Sequence, residues 1–240
     1  MEHAPGLYLV EGPASNWVIA RDGQDFTLVD SGYPADLPIL LDSIAYLGLD
    51  PARAAAILIT HGHTDHTGGA RHFSTQYGTP VYCSAGEYKT LLGEEKFQVD
   101  VRKALPYLWR PKVIRWAIHA TRAGGTITND IPAAAIFDSA VLEKLPGAPQ
   151  AVETPGHTPG HCVFYFQEAR ALASGDALVS GHMISQNSGP QMLHPMFHHE
   201  LDKAVDSLEL LPSLDVNVVL PGHGPAIRGN LADLIRNISR

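Results

Sequence analysis

Residues 54–60 form a compact apolar run that leads without a break into His61-Gly62-His63-Thr64-Asp65-His66. A buried strand delivering four imidazole and carboxylate groups within six residues leaves a chain few folds. The strand must end at an exposed edge, and the loop after it must turn sharply enough to gather those groups. Alternate positions of an extended or tightly turned loop point the same way, so His61 and His63 can converge on one ion. Asp65 and His66 then point elsewhere and can serve a second. Imidazole and carboxylate suit zinc, iron and manganese alike. No cysteine lies in the cluster, which argues against a thiolate-rich structural site. The following Thr67-Gly68-Gly69 suits a helix start. A histidine-rich loop can also be merely solvated, so the rest of the chain has to decide.

Three further candidate ligands occur in loops bearing glycine or proline, each after a strand-like run. They are His157 in Thr154-Pro155-Gly156-His157-Thr158-Pro159-Gly160-His161, Asp176 in Ser174-Gly175-Asp176-Ala177, and His223 in Leu220-Pro221-Gly222-His223-Gly224-Pro225. Glycines let the backbone turn sharply at the ends of strands, as a site at a sheet edge requires. The set of His61, His63, Asp65, His66, His157, Asp176 and His223 is enough for two ions sharing one carboxylate.

The surrounding pattern reads as mixed α/β layers. Short strand-like runs fall at 7–10, 16–20, 26–29, 54–60, 81–83, 151–153, 162–166, 171–173 and 216–220, and helical periodicity at 37–47 and 201–211. A helix is expected to open near 68–73. Residues 87–123 mix apolar and basic side chains and read as a helical insertion into a single domain spanning 1–240. There, Tyr107, Leu108, Trp109 and Trp116 suit an apolar lid over the site, or else burial of a helix pair or a homodimer contact.

The order His-x-His-x-Asp-His, Pro-Gly-His-Thr-Pro-Gly-His, Gly-Asp, Pro-Gly-His-Gly, with Val29-Asp30-Ser31-Gly32 ahead of it, resembles the metallo-β-lactamase-fold hydrolase superfamily, in particular its glyoxalase II and lactonase branches. The resemblance runs from about Gly6 to Arg228. It implies a four-layer αββα sandwich of two mixed β-sheets. It also implies two divalent metal ions per chain, zinc being the expected metal and iron or manganese compatible. His61, His63 and His157 would hold the first ion and Asp65, His66 and His223 the second, with Asp176 between them. The implied reaction is hydrolysis of an ester, thioester or lactone carbonyl by a hydroxide held between the ions, with Asp65 as a catalytic proton acceptor. Cys162 departs from the β-lactamases' metal-binding cysteine and reads as a packing residue. His161 reads as a structural neighbour of the ligands, and Asp30 as a residue orienting one of them or a plain turn residue. His182, His194, His198 and His199 read mostly as solvated or helix-capping, with His182 or His194 the candidate to reach the pocket.

Two other activities belong to proteins of related pattern. One is a mononuclear iron oxygenase of the persulfide dioxygenase type, against which the full second-ion set argues. The other is a phosphodiesterase or nuclease. With 17 basic against 25 acidic residues, a net charge of −8, the chain is a poor match for phosphate backbones or anionic membranes. A small-molecule substrate is therefore expected, with no nucleic acid and no membrane partner. Two cysteines make no disulfide framework. No signal-like or membrane-spanning run is evident, so a cytoplasmic location is the expectation.

Overall fold

A computed structural model describes residues 1–99, 101–128 and 130–238. Two mixed sheets carry the fold. The first runs β1 (Glu2–Ala4), β2 (Leu7–Glu11), β3 (Asn16–Asp22), β4 (Asp25–Val29), β5 (Ala54–Leu58), β6 (Val81–Cys83) and β7 (Ala134–Ile136), in that spatial order. It is antiparallel from β1 to β4 and parallel from β4 to β7. The second contains β8 (Gln150–Glu153), β9 (Cys162–Phe166), β10 (Ala171–Gly175), β11 (Val218–Pro221) and β12 (Ile227–Arg228). Its order is β12-β11-β10-β9-β8, with one parallel pair, β10 with β11.

Period-two alternation assigns each strand face to a layer. On β3, Val18 and Ala20 turn inward to meet Cys162, Phe164 and Phe166 of β9, so the two sheets pack face to face. Trp17 and Ile19, from the same strand, turn outward. There they pack against Leu40 and Ile44 of α1 (Leu37–Tyr46) and Phe73 of α3 (Ala70–Tyr77). On β9, Val163 and Tyr165 face outward toward Ala204 and Leu208 of α8 (Leu201–Leu208) and Leu231 of α9 (Leu231–Arg236). Helix, sheet, sheet, helix is the αββα arrangement the motifs imply.

The short α2 (Thr64–Thr67) begins inside the hexad, with His63 extended as its N-cap at φ −69° and ψ 146°. The helix expected to open near 68–73 is α3, which begins at Ala70 with Gly69 as its N-cap, and α2 precedes it as a separate turn. Gly68 also allows tight packing behind the loop, since a Cβ there would run into the Pro34 nitrogen.

The segment between β6 and β7 is helical but broken. It contains α4 (Tyr88–Leu91), α5 (Val101–Ala104) and α6 (Pro111–Arg122), while α7 (Ser139–Leu142) follows β7. Pro106 and Pro111 interrupt the run, since proline fits the first turn of a helix and not its interior. No helix among the described residues is long and apolar enough to cross a membrane.

Candidate metal centre

All seven residues singled out by the motifs meet at one end of the sandwich. His61 and His63 follow β5, and α2 carries Asp65 and His66. His157 sits in the β8–β9 loop, Asp176 directly follows β10, and His223 lies two residues after β11. Their donor atoms fall into two groups, His61, His63, His157 and Asp176 in one and Asp65, His66 and His223 in the other, each within 4.8 Å.

Hydrogen bonds behind four of the five rings define which nitrogen faces the centre, while His157 Nδ1 is buried without a hydrogen-bond partner. The Nδ1–H of His66 donates to Asp30 Oδ2 at 2.8 Å. That of His61 donates to Thr60 Oγ1 at 3.0 Å, and Thr60 donates in turn to Asp30 Oδ2 at 2.8 Å. The Nδ1–H of His223 reaches the Ala14 carbonyl at 2.7 Å, and the Nε2–H of His63 the Phe97 carbonyl at 2.8 Å. Asp30 thus orients two rings at once, with Oδ1 accepting the Thr60 amide at 2.8 Å. It does so from a left-handed backbone at φ 61°, a conformation a non-glycine residue holds only where its surroundings enforce it.

With their outer nitrogens bonded in this way, His61 and His63 turn their inner nitrogens toward His157. His157 Nε2 lies 3.2 Å from His61 Nε2 and 3.1 Å from His63 Nδ1. Asp176 Oδ1 and His66 Nε2 are buried with no hydrogen-bond partner. Clustered imidazole nitrogens and an unpartnered carboxylate oxygen, all out of water, fit a bound cation and little else. Asp176 stands between the groups. Its Oδ2 is 3.3 Å from His157 Nε2, and its Oδ1 is 3.3 Å from His223 Nε2 and 3.4 Å from His66 Nε2. Gly222 keeps this space open, since a Cβ there would lie 2.6 Å from Asp176 Oδ1 and 2.8 Å from His66 Cε1.

The electrostatics divide the same way. Burial, with His66, His63 and His157 nearby, holds His61 well below the usual imidazole range. Burial also depresses His157, despite Asp176. Burial acts most strongly against charge on His66 and His223 too, but the carboxylates around them, Asp176, Asp30 and Asp65 for His66 and Asp176 and Asp65 for His223, together outweigh it, and both are raised.

His161 is a buttress. Its Nε2 accepts the Asp176 amide at 3.1 Å and its Nδ1 faces Thr154 Oγ1 at 2.8 Å. Burial lowers it to about 3, which keeps the ring neutral and able to accept. Cys162 is buried between the sheets, as a packing residue. His182 lines the pocket with its ring 4.8 Å from that of His223, whereas His194 caps a 3-10 turn. His198 is not solvated as the sequence suggested. It is buried, 5.2 Å from the His157 ring, with Nε2 bonded to the Leu193 carbonyl at 3.1 Å.

Two residues escaped the sequence reading altogether. Glu87 is fully buried and ties the two ligand loops together. Its Oε2 accepts the Gly62 amide at 2.8 Å, and its Oε1 accepts Thr158 Oγ1 at 2.6 Å and the Gly160 amide at 2.8 Å. Tyr33 lines the pocket from the loop after β4, and burial together with Asp65 and Asp176 keeps its phenol protonated. Neither stands in a pattern that announces it.

A cavity of about 210 Å³ opens over the centre. Asp65, His157, Asp176 and His223 form its floor, and the 87–123 segment supplies much of its wall, including Val99, Leu108 and Trp116. Trp109 does not take part and is 75% exposed, and Tyr107 packs on the His194 ring at 4.6 Å. Only part of the expected lid therefore faces the site.

The model of the metallo-β-lactamase superfamily matches residues 10–223. The chain belongs to that superfamily, as an enzyme of the metallo-hydrolase type. It is 27% identical to the probable metallo-hydrolase YybB of Bacillus subtilis over 222 residues, 91% of this chain and 84% of that protein. It is 26% identical to the hydroxyacylglutathione hydrolase GloC of Haemophilus influenzae, over 86% of this chain and 84% of that one. Among solved structures, TTHA1623 in a di-iron-bound form is similar at a TM-score of 0.59 and 26% identity, covering 94% of this chain and 95% of that one. The His/Asp cluster and this membership indicate use of a divalent metal.

Proposed function

We propose that this chain is a dinuclear metal-dependent hydrolase that cleaves the carbonyl of an ester, thioester or lactone. The observation that carries the reading is Asp176, with one oxygen directed at each histidine group, 3.3 Å from His157 on one side and 3.3 Å from His223 on the other. His61, His63 and His157 would hold one ion, Asp65, His66 and His223 the other, and Asp176 both. Zinc is the expected metal, and iron or manganese would be accepted by the same nitrogen and oxygen donors. When bound, such ions lower the pKa of water toward neutrality and polarise a carbonyl.

The chain's own residues account for the remaining requirements. Asp30, Thr60 and the Ala14 and Phe97 carbonyls fix the imidazoles, so no reorganisation is needed during turnover. Asp65 is the candidate proton acceptor. Its side chain retains 16% exposure on the pocket floor, 3.6 Å from His223 Nε2, where it can take a proton from water and pass it outward. GloC, a relative named as a hydrolase of hydroxyacylglutathione, supports carbonyl chemistry.

Metal analysis of purified protein, followed by a panel of aryl esters, thioesters, lactones, phosphodiesters and β-lactams, tests this reading. Two ions per chain and turnover of acyl compounds are expected. One iron per chain with oxygen uptake would replace it with a dioxygenase, and selective turnover of phosphodiesters would replace it with a phosphodiesterase.

A further inference from the structure

We infer that the acyl part of the substrate is an uncharged apolar chain that leaves the metal centre across α6 and lies on the outer face of that helix. This rests on the hydrolase reading above and names the substrate class for the same site.

The charge pattern of the cavity comes first. Its floor carries Asp65 and Asp176, and among the described residues neither a lysine nor an arginine lines it. Beyond the metal centre, a carboxylate or phosphate on the acyl part would find no lysine or arginine among the described lining residues, and burying an unpaired charge is costly. The walls are instead Val99, Ala104, Leu108, Trp116, Leu193 and Phe197. Such a surface accepts methylene groups.

The second observation is that the cavity does not end at its own wall. A shallow apolar groove on the protein surface is lined by Leu108, Ile114, Ala117, Ile118, Thr121 and Arg122. Leu108, Ala117 and Thr121 line both the groove and the cavity. At roughly 100° per residue, the order around α6 is Trp116, Ala120, Ala117, Thr121, Ile114, Ile118, a continuous arc of about 200°. The first four face the cavity and the last four the groove. The ridge between them is therefore Ala117 and Thr121, which are small. The Thr121 hydroxyl is spent on the Ala117 carbonyl at 2.7 Å, so no unsatisfied hydroxyl interrupts the path. Beyond the ridge, Ile114 and Ile118 are 43% and 46% exposed, one turn apart on a helix that could have placed polar residues there. A contiguous exposed apolar strip joined to an active-site cavity marks a ligand surface.

The test is a chain-length series of aryl esters, from acetyl to tetradecanoyl, on the metal-loaded enzyme. Expected is a rise in kcat/KM of about tenfold or more between butanoyl and dodecanoyl, carried by KM. Ala117→Phe raises the ridge and should bring the dodecanoyl-to-butanoyl ratio close to one. Ile118→Asp, at an exposed position that tolerates change, should lower the ratio for the longest chains only. A flat or falling profile in an active enzyme overturns the inference, as does a ratio unaltered in both variants. Should no acyl compound be turned over, the hydrolase reading fails, and binding of decan-1-ol by calorimetry decides separately. Binding weakened by Ala117→Phe supports the apolar path; absence of binding overturns it.

Discussion

Asp30 Oδ2 stands 2.8 Å from His66 Nδ1, and this one contact determines which face of the imidazole the metal centre sees. In Asp30→Asn, the amide NH₂ that occupies one carboxylate position would meet donors at Thr60 or His66. The His66 tautomer loses its anchor. Metal affinity should fall about 10–100-fold, as for other residues that hold a ligand from behind. Retention of metal during dialysis against a graded chelator measures it, and unchanged retention would show that Asp30 is a turn residue and no more.

Asp65→Asn separates proton transfer from metal binding. The amide keeps an oxygen toward the centre but is a poor base. Turnover should drop about 10²-fold or more, while metal content falls by much less. Equal losses of both would assign Asp65 to ligation alone.

Glu87→Gln addresses the clamp between the ligand loops. The carboxylate accepts from Gly62, Thr158 and Gly160, and a glutamine NH₂ must face at least one of those donors. A destabilisation of about 2–3 kcal/mol is expected, because a buried hydrogen bond to a charged acceptor is replaced by a donor–donor contact. Urea unfolding of the metal-free protein reads it without interference from the ions.

Metal removal should itself destabilise the fold. His61 Nε2 and His63 Nδ1 lie 3.2 and 3.1 Å from His157 Nε2, and a cation is the group that draws such crowded, buried nitrogens together. Chelated protein should melt at lower temperature, with the shift reversed on reloading and dependent on free metal concentration.

The cysteines give a pH prediction. Burial, with Glu87 nearby, pushes the Cys83 thiol up to about 12. A thiol raised in the fold contributes stability that is whole below its unfolded pKa, near 8.5. That contribution is lost as pH climbs through the folded value. Stability should therefore decline between about pH 9 and 12, and less steeply in Cys83→Ala. At neutral pH neither Cys83 nor Cys162 should react with a thiol reagent until the protein unfolds, since both are buried.

The candidate ligands were legible in the sequence because metal binding restricts residue type and because sharp turns at strand ends leave glycine in each of their four loops. Mixed α/β layering was legible in the interleaved strand-like and helical runs, and the sandwich only through the resemblance that the ordered motifs carry, since β3 and β9 read as continuous apolar runs whose two faces the structure separates. Glu87 was not legible. Its partners lie 25, 71 and 73 positions away, and a single acid in a loop has no local signature. The start of α2 inside the hexad was also hidden, since the tight packing of Gly68 against Pro34 comes from a separate loop. Trp109 and Trp116 are alike in type and seven positions apart, yet one is exposed and the other walls the pocket. Hydrophobicity alone does not record which side of a broken helical segment faces the protein.

The bond from His63 Nε2 to the Phe97 carbonyl has a consequence for how such an enzyme diversifies. Phe97 lies in the segment between β6 and β7, the part of the chain that also walls the cavity. Exchange of that segment between relatives would bring a new cavity wall and, in the same crossover, a new anchor for a metal-binding imidazole. On the proposed reading, substrate preference and metal affinity would change together, and a loop graft that aims to alter the first would have to carry the Phe97 carbonyl with it to preserve the second.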